Sequence, residues 1–281
     1  MKYGIMQGRL LPKYKGRYQA FPINTWEKEF KLASMLNLSS IEFILDYHEF
    51  ENNPLMSKAG LTRIKQAVSE SAVDVKSVCA DYFMDNTIHS NEIIQNQQSK
   101  LVLSRLIDNC SLIGVTDIVI PCVDQASLNT HEKKDLFCEN IQEATKQANE
   151  LNINIALELD LKPPEVLELL GKIGSKSVTI NYDLGNSASQ GYDVEEEFSV
   201  YGKYITDIHI KDRVFRGGPV VLGKGNVDFK NFFISLKKYN VTPNLFIFQA
   251  FRDDEGVDIF KKQYKWYKEA FKKFNKKNGY E

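Results

Sequence analysis

Val115-Thr116-Asp117-Ile118-Val119-Ile120 is an apolar, β-branched run of the kind used by strands buried on both faces of a parallel sheet. It follows a stretch of helical periodicity from about Asn91 to Ile113 that closes at Gly114. The same phrase recurs twice downstream. A helix from about His131 to Leu151 leads into Ile153-Asn154-Ile155-Ala156-Leu157-Glu158, and a shorter one from Pro164 to Leu170 leads into Val178-Thr179-Ile180-Asn181-Tyr182-Asp183. Pro164 suits a first helical turn, where its missing N–H costs nothing.

Working outward, the alternation continues in both directions. Upstream, Lys2 to Gly8 reads as an opening strand, Asn24 to Leu38 as a helix with Trp26, Phe30 and Ala33 at helical spacing, and Ser40 to Leu45 as a strand. Leu61 to Ser71 then reads as a helix and Val73 to Cys79 as a third strand. Downstream come a helix before Tyr201, a strand through Ile205, Ile208 and Ile210, a helix from Val227 to Tyr239, the strand Leu245 to Gln249, and a helix from about Val257 to Phe274. Some eight strand-then-helix units in 281 residues predict a (β/α)₈ TIM barrel, which takes roughly 250 residues. A doubly wound open sheet is the competing arrangement, because alternation does not decide closure. No linker divides the chain, so residues 1–281 are expected to form one domain, with 271–281 a frayed, lysine-rich tail.

The 36 basic and 37 acidic residues leave a net charge of −1, so no global field favours nucleic acid or an anionic membrane. No signal-peptide pattern opens the chain and no run approaches the roughly 20 apolar residues of a membrane span, which predicts a cytoplasmic protein. Cys79, Cys110, Cys122 and Cys138 lack metal or redox spacing and are expected to be buried thiols. His48, His89 and His131 read as solvated or capping residues.

If the barrel closes, chemistry belongs at the C-terminal ends of its strands. Strand five ends in Glu158, strand six in Asp183, strand seven carries His209, and strand eight ends in Gln249. A lone histidine in a strand is more often a hydrogen-bonded core residue than a ligand, but here four adjacent strands point an imidazole, two carboxylates and an amide oxygen at one region. Such a nitrogen and oxygen set suits one divalent ion, Mn²⁺, Mg²⁺, Co²⁺ or Zn²⁺.

The order and spacing of Gly4-Ile5-Met6-Gln7-Gly8-Arg9-Leu10, Ala156-Leu157-Glu158, Asp183-Leu184-Gly185-Asn186, Asp207-Ile208-His209-Ile210-Lys211-Asp212 and Gly223-Lys224-Gly225-Asn226-Val227-Asp228-Phe229 resembles the xylose-isomerase-like superfamily of sugar isomerases, epimerases and dehydratases. The resemblance implies a metal held by Glu158, Asp183, His209 and the residue ending strand eight. In the epimerases that last residue is a second glutamate, so that two carboxylates work from opposite faces of the substrate carbon. Here it is Gln249, whose amide can offer an oxygen but has no useful pKa for proton transfer.

What the resemblance then implies is proton abstraction α to a carbonyl by Glu158, with Lys211 or a metal-bound water supplying any second proton. The expected substrate is a small sugar, sugar phosphate or polyol. Dehydration of a keto-polyol and a non-catalytic carbohydrate-binding barrel are the alternatives. The resemblance assigns Asn186 to substrate hydroxyls. Arg9, Arg213 and Arg216 are candidates to hold an anionic group, Glu42 to bind a hydroxyl, and the basic loop from Arg9 to Arg17 hints at an anion. Barrels of this kind often form homodimers. Gly223-Lys224-Gly225 lacks the spacing of a nucleotide-phosphate loop. Four histidines are too few for a trinuclear zinc nuclease site, so DNA is not expected as a partner.

Overall fold

In the computed structural model, which describes residues 2–277, eight strands lie side by side and close on themselves. They are β1 (Tyr3–Met6), β2 (Ser40–Ile44), β3 (Ser77–Cys79), β4 (Asp117–Cys122), β5 (Asn154–Leu159), β6 (Val178–Asp183), β7 (Ile205–Ile210) and β8 (Leu245–Phe248). Each is parallel to both neighbours, and β8 pairs with β1 through Tyr3–Phe246, Gly4–Ile247 and Ile5–Phe248. That last ladder decides between the two arrangements the alternation allowed: the sheet is a (β/α)₈ barrel and not an open, doubly wound one.

The helices are α1 (Trp26–Met35), α2 (Lys58–Ser71), α3 (Tyr82–Asp85), α4 (Ile93–Ile113), α5 (His131–Asn140), α6 (Gln142–Glu150), α7 (Pro163–Ile173), α8 (Leu184–Gln190), α9 (Val194–Tyr201), α10 (Phe229–Lys238) and α11 (Val257–Lys277). The period of two along each strand sorts its residues between two cores. Ile118 and Ile120, Ile155 and Leu157, and Phe246 and Phe248 point outward into the main core under the helices. Between them Val119, Ala156 and Ile247 point inward, and with Met6, Ile44, Cys79 and Leu245 they fill the lumen. Among the described residues, no helix is long and apolar enough to cross a membrane.

Several boundaries differ from the sequence reading. Strand β4 runs on to Cys122, because Pro121 stays in register opposite Glu158. The helix expected from His131 to Leu151 is two, broken at Ile141. The tail expected to fray from residue 271 is helical to Lys277, because Phe274 is buried against Phe233; residues 278–281 lie outside the described chain. His89 is buried, where solvent or a capping role was expected. All four cysteines are free and buried.

Candidate metal centre and active-site cavity

The lumen face continues past the strand ends, and the same period of two builds the site. Two residues beyond the lumen positions Ile44, Cys79, Val119, Ala156 and Ile247 stand Asp46, Asp81, Pro121, Glu158 and Gln249. With Arg17, Gln19, Asn186, Lys211 and Arg213 they line a cavity of about 220 Å³ at the C-terminal mouth, sized for a small molecule.

At its floor Glu158, Asp183 and His209 converge, their potential ligand atoms all within 4.8 Å of one another. His209 Nδ1 lies 3.4 Å from Glu158 Oε2 and 3.8 Å from Asp183 Oδ2. Its other nitrogen, Nε2, stands 2.9 Å from Glu42 Oε1, deeper in the lumen. Burial opposes a charge on the imidazole, but Glu42, Asp183 and Glu158 outweigh it and raise the His209 pKa well above its ordinary value. Below it, burial and the adjacent Glu42 push the Asp207 carboxyl far up. Asp183 divides its labour. Its Oδ1 accepts the N–H of Asn186 at 2.8 Å and caps α8, while its Oδ2 faces His209 and the Lys211 ammonium, 3.3 Å away. Burial would raise this carboxyl, but Lys211 and His209 hold it down at about 2.

The carboxylates around His209 call for positive charge at Nδ1, and a divalent ion there would meet the same demand as a proton. The Oε1 of Gln249 is buried without a hydrogen-bond partner in the same cavity, as an unused metal-donor atom would be. Nδ1 is the nitrogen on the side of Glu158 and Asp183, with Asn181 Nδ2 also 3.1 Å from it. The residues fit a divalent ion of the oxygen-preferring class.

Glu158 accepts hydrogen bonds from Asn186 Nδ2 at 2.5 Å and Asn181 Nδ2 at 3.1 Å, one to each oxygen. Asn186 Oδ1 in turn accepts from Arg213 Nη1 at 2.7 Å and Lys211 Nζ at 3.4 Å. This crowding requires Gly185, since a Cβ there would sit 2.8 Å from Lys211 Cγ and 3.1 Å from Arg213 Cγ. Asp212 does not pair with Lys211. It accepts the backbone N–H groups of Gly223, Gly225 and Val227 at 2.8, 2.9 and 3.1 Å, folding the glycine-rich loop around its carboxylate. A Cβ on Gly225 would lie 2.2 Å from Asp212 Oδ1.

Of the residues singled out in the sequence, Asp183 and His209 lie just beneath the cavity lining, beside Glu158, and Arg9, Glu42 and Arg216 stand apart from it. Arg9 is buried behind it, donating to Tyr18 O and Gln19 Oε1. Glu42 is mid-strand, not at a strand end, and accepts from Ser77 Oγ at 2.5 Å. Arg216 is exposed in the turn of a short hairpin, over the ring of Phe215. The basic loop is tied down by acids: Lys13 to Asp254, Lys15 to Glu49, and Arg17 to Asp46. Sequence reasoning missed Asp46, Asp81, Gln19 and Asn181. The first two follow Ile44 and Cys79 by the spacing that puts Glu158 after Ala156, so the signal was present.

A closed parallel barrel with such a cluster at its C-terminal mouth defines a (β/α)₈ protein with a candidate metal centre. Residues 30–270 match the xylose isomerase-like TIM barrel family, and the chain belongs to it. It is 27% identical over 259 residues, 82% of this chain and 86% of the relative, to a putative L-ribulose-5-phosphate 3-epimerase, SgbU, of Haemophilus influenzae. Among solved structures, an L-ribulose 3-epimerase aligns with a TM-score of 0.76 at 14% identity over 99% of this chain and 97% of the other. The 3-keto-D-glucoside 4-epimerase of E. coli aligns at 0.74 and 14% over 96% and 99%. A D-psicose 3-epimerase of Clostridium cellulolyticum H10, solved with D-tagatose, aligns at 0.74 and 13% over 98% of each chain. At these identities the structural likeness speaks to fold alone.

Proposed function

We propose that the protein is a divalent-metal-dependent epimerase or isomerase of a small ketose or ketose phosphate, with Glu158 as the base. The observation that carries this reading is the convergence of Glu158, Asp183 and His209 on one point at the floor of a small polar cavity. The putative L-ribulose-5-phosphate 3-epimerase among the relatives supports the same chemistry. Glu158, Asp183, His209 and the Gln249 amide oxygen are the residues to hold the ion. When bound, it would polarise the substrate carbonyl and stabilise the negative charge that builds as the α-proton leaves.

The chain's own groups do the rest. Glu158 is held in place by two amides, one on each oxygen, Asn186 at 2.5 Å and Asn181 at 3.1 Å. One oxygen faces the metal position and the other is left to take the α-proton and hold it as the carboxylic acid. Lys211 and Arg213, gathered at Asn186 Oδ1, put positive charge on the wall beside Glu158 for a substrate hydroxyl or phosphate. Gln249 moves no proton.

The test is deuterium wash-in. Candidate ketoses incubated with protein and Mn²⁺ in D₂O gain an α-deuterium through Glu158. Glu158→Gln abolishes the exchange from the epimer whose α-proton faces Glu158, while bound Mn²⁺ is retained. Near-wild-type exchange in that variant ends the proposal.

A further inference from the structure

We infer that Asp81, at the end of β3, is the second proton-transfer residue of this site, acting on the substrate carbon from the face opposite Glu158. This rests on the α-proton chemistry proposed above. A carbon that loses its proton to one carboxylate and regains it from the same one keeps its configuration. Inversion needs an acid on the other face, and the end of strand eight offers only the amide of Gln249.

Five carboxylates line the cavity: Asp46, Asp81, Asp85, Asp124 and Glu158. Asp46 is committed to a two-pronged pair with Arg17, at 2.6 and 3.0 Å. Asp85 and Asp124 are exposed at the rim. Asp81 is neither. It sits at the N-cap of α3 yet makes no capping bond, and its carboxylate turns instead toward neutral donors, Gln19 Nε2 at 2.5 Å and Cys79 Sγ at 3.3 Å. Gln19 also accepts from Arg9 at 2.9 Å and from Gln249 Nε2 at 3.4 Å, so one amide ties Asp81 to the strand-eight position.

Around the barrel β3 lies four strands from β7, directly across the mouth. Asp81 therefore faces the wall that carries His209 and Lys211, while Glu158 enters from β5, two strands away with β4 between, so the two carboxyls reach the substrate space from different walls. Lys211 is a poorer second acid, because it stands on the metal side against Asp183. Burial pushes Asp81 up to about 6, with Glu158 and Asp46 acting in the same direction against the bonds from Gln19 and Cys79. A carboxyl so placed can both give and take a proton near neutrality.

In the forward step Glu158 takes the α-proton and the C–H electron pair moves to the carbonyl oxygen, giving the enediolate. The Asp81 carboxylic acid then delivers its proton to the same carbon from the other side as the C=O bond re-forms. The epimer leaves Glu158 protonated and Asp81 ionised, and exchange with solvent restores both.

The experiment uses the full chain with Mn²⁺ in D₂O and the epimer pair that it interconverts from a panel of free and phosphorylated ketopentoses and ketohexoses. In Asp81→Asn, interconversion falls by at least about 100-fold, while wash-in survives in the epimer whose proton faces Glu158 and disappears from the other. Glu158→Gln gives the opposite pattern. Asp81→Glu, which keeps the carboxyl, interconverts at least about tenfold faster than Asp81→Asn. Interconversion in Asp81→Asn within about threefold of wild type, or equal loss of wash-in from both epimers, overturns the inference alone. Absence of wash-in from every ketose with the wild-type protein overturns it together with the proposed function.

Discussion

Asp212→Asn removes one acceptor from a carboxylate that takes three backbone N–H groups, two on Oδ2 from Gly223 and Gly225 and one on Oδ1 from Val227. Asp212 is fully buried, and an asparagine there keeps one oxygen and turns an NH₂ toward an N–H donor. A hydrogen bond to a charged group contributes about 1.5–3 kcal/mol, and a buried donor left unsatisfied costs about 1–3 kcal/mol. With one bond lost and the other two weakened, the expected destabilisation is about 3 kcal/mol, or a fall of about 6–9 °C in Tm for a chain of this size. Urea unfolding followed by circular dichroism measures it. The effect should reach the cavity, because Asn226 N donates to Arg213 O at 2.9 Å and Arg213 holds Asn186. KM for the ketose should therefore rise. A loss below about 1 kcal/mol would show that the loop does not depend on this carboxylate.

Gly185→Ala favours helix α8 by up to about 1 kcal/mol, but its Cβ displaces the stems of Lys211 and Arg213, and overpacking costs about 1–3 kcal/mol. The variant should be less stable in urea and show a raised KM; greater stability with unchanged KM would refute the crowding argument. Burial, with Lys133 assisting, lowers the His89 pKa from 6.5 to about 4. The folded state thus binds its proton more weakly than the unfolded chain, so stability is full above pH 6.5 and is lost as pH falls toward 4. The difference sets a ceiling of about 3 kcal/mol on this contribution. His89→Gln should flatten this part of the pH–stability curve; an unchanged slope assigns it to other groups.

The barrel was legible because its strands carry their burial in the sequence. Asn154–Leu159 and Val178–Asp183 read as buried strands from β-branched runs alone, and Glu158, Asp183 and His209 followed from where those runs stop. Closure was not legible, since the ladder between Tyr3 and Phe246 joins residues from opposite ends of the chain. Nor was the partner of each charge. Arg17 reads as a base awaiting an anion until the fold brings Asp46 to it, and Arg9 until it is buried beneath Gln19. Asp212 is next to Lys211 in sequence, yet the glycine loop claims its carboxylate from 11 to 15 residues away. Asp81 stands beyond the end of the three-residue strand β3, at the spacing from Cys79 that Glu158 has from Ala156, and only the closed barrel shows that this position turns into the cavity.

Equilibrium Mn²⁺ binding to the full chain, followed by electron paramagnetic resonance of the free ion, tests the metal centre most directly. Wild-type protein should bind one ion. Asp183→Asn retains an acceptor for the Asn186 N–H and so the cap of α8, and it should bind at least about 100-fold more weakly, as should His209→Gln. Binding within about threefold of wild type in both variants, or none by the wild-type protein, would contradict the account.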